Sequence, residues 1–196
     1  MDKLLNKLGY RLAHYLSQSD EDRESVSTCS KEDLEAALKA GDILLVDGSS
    51  RVSTAIKYIT QSTWSHAALF IGKPEIRSGK SAGEPELIEA DLKEGVQAVP
   101  LSKYCQLHTR ICRPVGLSDD EIQEVIRFMI EKIGYKYDLK NIIDLARYLI
   151  QHPPIPKNKR RRLLALGSGD PTKAICSSLI AQAYQLLEYP ILPVID

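Results

Sequence analysis

Strand-like patterning in this chain is confined to Asp42–Pro114, and the periodic apolar segments beyond it are helical. Clustered strands followed by helices imply an α+β domain with a mostly antiparallel sheet. Five strands are expected, over 42–47, 66–72, 86–91, 95–100 and 109–114, from short apolar or alternating runs bounded by turn residues. Residues 73–85, rich in Gly, Ser and Pro, read as a hairpin-like loop. Ser30-Lys31-Glu32-Asp33 starts a helix that Gly41 is expected to end. Ser49 or Ser50 caps a short helix with Val52, Ala55, Ile56 and Ile59 inward. Ser118-Asp119-Asp120-Glu121 is a capping box for a helix running to Gly134, with an apolar face that includes Ile122, Val125, Ile126 and Met129. A second helical run carries Ile142, Ile143, Leu145, Ala146, Leu149 and Ile150 before Pro153-Pro154 stops it. The last helix runs from near Cys176 to about Glu188, with Leu179, Ile180, Ala183 and Leu187 inward.

The 196 residues suffice for one good core, and residues 30–196 are expected to form one domain. Before it, 1–29 divide into an amphipathic helix over 3–16 and a polar, acidic linker. Leu4, Leu5, Leu8, Leu12, Tyr15 and Leu16 form the apolar stripe of that helix, with Lys3, Lys7 and Arg11 away from it. Such a stripe docks on its parent domain or a partner subunit, or lies on a membrane surface as a peripheral contact. The formal net charge is zero, so no global field favours nucleic acid, and none is expected as a partner. No apolar run approaches the roughly 20 residues of a membrane span. Met1–Gln18 lacks the continuous apolar core of a secretory signal, which makes a cytoplasmic location the expectation. The four cysteines, Cys29, Cys105, Cys112 and Cys176, are too dispersed for a disulfide framework and are expected as reduced thiols. The spacing Cys105-x-x-His108-x-x-x-Cys112 lacks the fourth ligand and tight turns of a zinc site, so no metal is expected there.

Three residues supply a chemistry. Cys176 lies in the first turn of the last helix, after the helix-start residues Asp170, Pro171 and Thr172. Orphan amides at a helix start lower a thiol's pKa and can stabilise an oxyanion. A small buried core cysteine is the plainer alternative. His66 opens a strand of small and apolar residues, where its imidazole can exchange a proton near neutral pH or simply be a satisfied edge histidine. Glu89 interrupts the apolar run Leu87-Ile88-Glu89-Ala90, and a charge there is costly unless paired. If 66–72 and 86–91 are neighbours, Glu89 can orient the imidazole as a third triad member, with Asp91, of the same parity, the runner-up. Glu84, Glu86, His14, His108 and His152 are expected in solvent or loops. No cofactor is required.

Four short motifs in order resemble one family. They are Gly41-Asp42-Ile43-Leu44-Leu45-Val46 followed by Ser62-Thr63-Trp64-Ser65-His66-Ala67-Ala68-Leu69-Phe70-Ile71-Gly72; Glu86-Leu87-Ile88-Glu89-Ala90; Gly134-Tyr135-Lys136-Tyr137-Asp138; and Ile175-Cys176-Ser177-Ser178-Leu179-Ile180. Over about 40–190 the chain resembles the permuted papain-like hydrolases of the YiiX/YebB group in the NlpC superfamily. The resemblance implies a circularly permuted papain-like fold: a central antiparallel sheet or partial barrel against helices, with the nucleophile on a C-terminal helix. It implies Cys176 as nucleophile, His66 as general base and Glu89 as orienter. Tyr137 is placed near the nucleophile, or else forms a turn-and-core pair with Asp138. Trp64, Ser65 and Ser177 are candidate pocket residues by proximity. The leading segment 1–29 is outside the resemblance. So is the arginine content of 157–162, which reads as a solvated loop or a lid over an anionic substrate.

The expected reaction is acyl transfer from an amide: a small peptide, a cell-wall-type peptide or an N-acyl compound. A lipid acyltransferase or thioesterase on the same triad is the second reading, since permuted relatives handle acyl lipids. A non-catalytic ligand-binding domain is the third. The identity of the acyl acceptor and the oligomeric state stay open.

Overall fold

The structure is a computed structural model that describes residues 29–73, 83–84, 86–91, 94–135 and 177–190. The expected helices over 3–16 and 142–150, most of the 73–85 loop, Tyr137, the 157–162 segment and Cys176 lie outside the described residues.

Helix α1 (Lys31–Ala37) leads into strand β1 (Ile43–Asp47), helix α2 (Arg51–Thr60) and strand β2 (His66–Gly72). Strands β3 (Glu86–Asp91) and β4 (Gly95–Pro100), a 3₁₀ turn (Leu101–Tyr104) and strand β5 (His108–Cys112) follow. Helices α3 (Asp119–Glu131) and α4 (Ser177–Gln185) complete the described elements. Among them, the five strands form one sheet of order β4-β3-β2-β1-β5, and every neighbouring pair is antiparallel. This is the mixed α+β architecture implied by the strand-then-helix order.

The sheet is covered on both faces, and its central strands show it. Ala67 through Phe70 of β2 and Leu87 through Ala90 of β3 are all buried, so alternate residues serve two separate cores. Ala67, Leu69, Ile88 and Ala90 cluster with Val125, Ile126 and Met129 of α3 and with Leu179, Ile180, Ala183 and Tyr184 of α4. Ala68, Phe70, Leu87, Leu44 and Val46 cluster with Leu34, Leu38, Leu101 and Tyr104. Each fully buried Leu or Ile contributes roughly 2–3 kcal/mol against exposure. The second cluster is therefore a core in its own right, and α1 and the 3₁₀ turn are its lid.

The helices begin as their caps dictate. Ser30, Ser50 and Ser118 each accept a backbone N–H from three residues on, and Ser118 with Glu121 completes the expected capping box. Two boundaries differ from expectation. Helix α1 ends at Ala37 rather than Gly41, because Leu38 turns extended and is buried beneath the sheet. Gly41 serves the following turn instead: it has φ +88°, and a Cβ there would lie 2.8 Å from Ile122 Cγ2. Strand β5 is shifted from 109–114 to His108–Cys112. Arg113 leaves the ladder because its guanidinium turns to Asp42, with Nε to Oδ1 at 2.8 Å and Nη2 to Oδ2 at 2.7 Å. His108, expected in solvent or loop, opens β5 opposite Asp47, and its ring lies 5.0 Å from that of Trp64.

Candidate active site

His66 stands where β2 begins, and that start is fixed by its predecessor. The Ser65 N–H donates to Val46 O at 3.0 Å, and its buried hydroxyl accepts the Gly48 N–H at 3.0 Å. Gly48 is needed at this turn, since a Cβ would lie 2.4 Å from Ser53 Oγ and 3.0 Å from Ser65 Oγ. The side chain of Ser65 thus builds the turn that aims its neighbour. Trp64 is half-buried beside His108.

Register supplies the partner. Glu89 lies opposite Ala68 on one side and Gln97 on the other. His66, two residues before Ala68, projects from the same face, so Glu89 is its diagonal neighbour across two strands. His66 Nε2 lies 3.0 Å from Glu89 Oε2. The carboxylate side chain is 1% exposed and the imidazole 22%, so a buried acceptor holds a ring that solvent still reaches. Asp91, the runner-up, accepts the Glu94 N–H at 3.1 Å and so supports the β3–β4 turn. Glu84, expected in solvent, pairs with Lys31 at 2.6 Å and accepts the Ser102 N–H.

Three further side chains, not singled out in the sequence, surround Glu89. Lys103 Nζ donates to Oε1, and Gln97 Nε2 donates to Oε1 at 2.9 Å. The Tyr104 hydroxyl donates to Oε2 and lies 3.1 Å from His66 Nε2. Burial alone pushes the Glu89 carboxyl up, but the bonds from His66, Lys103 and Tyr104 and the charge of the imidazolium outweigh it and hold the group at about 2. A folded-state value below the ordinary 4.5 means stability that is present above pH 4.5 and lost as pH falls toward 2. Its size is on the order of 3 kcal/mol. Denaturant titrations between pH 5 and 2 are expected to show this slope, and Glu89→Gln to flatten it; equal slopes would exclude Glu89 as its source. Among the described residues, no group of three or more His, Cys, Asp or Glu could hold a metal ion.

An imidazole held by a buried, ionised carboxylate at the start of a sheet strand is a pair able to exchange a proton and to stabilise the cation that forms. Residues 37–148, more than half of the chain, match the model of the permuted papain-like amidase enzymes of the YaeF/YiiX, C92 family. The chain belongs to this family. The protein is therefore a papain-like cysteine hydrolase of amidase type, and the antiparallel sheet with its flanking helices fits a permuted papain-like fold. The C92 match includes His66, Glu89, Gln97, Lys103 and Tyr104 and ends before Cys176. Among solved structures, the chain is similar to that of the metalloprotein yiiX from Escherichia coli O157:H7, with 20% identity. The alignment covers 81% of this chain and 69% of that one, with a TM-score of 0.48. No curated protein matches the chain. Of the expected pocket residues, Ser177 is the exposed first residue of α4, while Tyr137 and Cys176 lie outside the described residues.

Proposed function

We propose that the protein hydrolyses the amide bond of a small peptide, a cell-wall-type peptide or an N-acyl compound through an acyl-thioenzyme on Cys176. His66 is the general base and Glu89 its orienter. The observation that carries this reading is the bond between His66 Nε2 and the buried Glu89 carboxylate. With Nε2 engaged there, Nδ1 is the nitrogen that works on the thiol. It takes the Cys176 proton as Sγ attacks the carbonyl carbon, and returns it to the departing amine. Water, deprotonated at the same nitrogen, then attacks the thioester and releases the carboxylate and the thiol.

Helix α4 packs on β2 in the cluster of Ala67 and Leu69, the sheet face opposite the one that carries Ala68 and the His66 side chain. Tyr184, late in the helix, donates its hydroxyl to Gly41 O at 2.7 Å. Gly41 in turn donates to Phe70 O, toward the end of β2 away from His66. From Tyr184 back to Ser177 the helix rises about 10 Å, over a core that contains Ala67 and Leu69. Cys176 is the residue immediately before Ser177.

Alkylation of Cys176 by iodoacetamide, followed residue by residue by mass spectrometry, tests the pair. Cys105 is an internal reference, because burial pushes its thiol up. Cys176 is expected to label fast well below pH 8, and at least about tenfold more slowly in His66→Ala. Labelling no faster than Cys105, and indifferent to His66, would sink the proposal.

A further inference from the structure

Tyr104 and Lys103 are members of this cluster to which the reaction just described gives no role. Tyr104 is 3% exposed, yet it aims a hydroxyl, not an apolar tip, into the His66–Glu89 pair. Lys103 reaches the same carboxylate from the rim of the sheet, its side chain 41% exposed. Donor and acceptor arithmetic gives both a role. Glu89 takes donors from Lys103, Gln97 and Tyr104, so it faces His66 as an acceptor only. The single hydroxyl proton of Tyr104 is committed to Glu89 Oε2, so its oxygen also faces His66 with a lone pair. Two acceptors therefore converge on Nε2, at 3.0 and 3.1 Å, and both require a proton there. The neutral ring is fixed as the Nε2–H tautomer, and Nδ1 carries the basic lone pair.

We propose that Tyr104 and Lys103 are positioning residues of the site. Tyr104 locks the tautomer and plane of His66 through a shared hydrogen bond at Nε2, and Lys103 balances the charge of Glu89, so that the carboxylate orients the imidazole without over-stabilising its cation. The role presupposes that His66 is the base of the proposed function.

The two residues act on the imidazolium with opposite sign. The Tyr104 oxygen stabilises an N–H⁺ donor, so Tyr104→Phe lowers the pH at which His66 loses its proton. The Lys103 ammonium repels the imidazolium through the carboxylate they share, so Lys103→Met raises it. Other charged or titratable groups at this end of the sheet, among the described residues, include Asp91 of β3 and Glu94 of the turn after it, Asp47 of β1 with its partner Lys57, and His108 of β5. Neither variant alters these, so they form a constant background.

The test is an NMR titration of ¹⁵N-histidine-labelled protein, as wild type, Tyr104→Phe and Lys103→Met. The expected result is an Nε2–H tautomer in the wild type, a His66 midpoint lower by roughly half a pH unit in Tyr104→Phe, and one higher by a similar amount in Lys103→Met. Midpoints unmoved, or moved in the same direction, would overturn the proposal, as would an Nδ1–H tautomer in the wild type. Lys103→Met changes only a rim side chain, so its midpoint decides the matter even if Tyr104→Phe folds poorly. Cys176 alkylation in the same samples separates the two readings. If labelling is indifferent to His66 while the midpoints move as expected, the catalytic assignment fails and the positioning network stands. Labelling that depends on His66 while the midpoints stay fixed has the opposite meaning.

Discussion

Glu89→Gln is expected to lower the turnover of an activated acyl substrate such as p-nitrophenyl acetate by roughly 10²–10⁴-fold, while the protein still folds. The size follows from what an amide does in this position. Lys103 and Gln97 both donate to Oε1, so the carbonyl oxygen of a glutamine at 89 settles on their side. Its NH₂ then takes the place of Oε2, facing His66 Nε2 and the Tyr104 hydroxyl. A donor facing Nε2 favours the lone pair there and sends the proton to Nδ1, the nitrogen assigned as base. The side chains keep their places, but the ring presents the wrong nitrogen to the thiol. A loss confined to kcat, with the fold intact by circular dichroism, is the expected pattern. Turnover within about tenfold of wild type would mean that Glu89 does not set the tautomer. A loss of fold would instead assign the carboxylate to structure, because Lys103, Gln97 and Tyr104 all depend on it.

The order of the elements was legible because the sheet is patterned by burial. Strands β2, β3 and β4 begin and end where the apolar runs and Gly95 place them. The cap residues Ser30, Ser50 and Ser118 mark helix starts by chemistry that acts within four residues. Glu89 stood out for a related reason: a lone carboxylate in a continuous apolar run must have a partner, and His66 was a candidate on a neighbouring strand. Tyr104, Lys103 and Gln97 were not legible. Gln97 meets Glu89 only through the β3–β4 register, which the turn between the strands sets. Lys103 and Tyr104 lie in a single 3₁₀ turn, too short for any periodicity to appear. The early end of α1 was hidden for another reason: Leu38 leaves the helix to fill a core that includes Ala68, Phe70, Leu87, Val99, Leu101 and Tyr104, far along the chain.

The same distinction between local signal and long-range demand makes Asp42 the second sensitive position. Asp42→Ala is expected to destabilise the fold by about 3 kcal/mol, against about 1 kcal/mol for Arg113→Ala. The two residues form one ion pair, but burial divides the cost unequally. The Asp42 side chain is 1% exposed and that of Arg113 43%. Asp42 Oδ2 accepts the Lys39 N–H at 2.7 Å and Arg113 Nη2 at 2.7 Å, while Oδ1 accepts Arg113 Nε. Its own backbone carbonyl accepts the Phe70 N–H at 2.8 Å. One residue thus joins the end of α1, the entry to β1, the far end of β2 and the exit from β5. Alanine leaves the Lys39 amide without its acceptor and opens a gap beside Gly41, the anchor of Tyr184. Loss of Arg113 leaves an anion that still holds the Lys39 N–H, and lost guanidinium contacts on the exposed side are partly replaced by water. Urea midpoints at neutral pH, converted with a common m-value, give the comparison. Equal costs for the two variants would show that the pair acts as a surface ion pair, and that the junction is held by its backbone bonds alone.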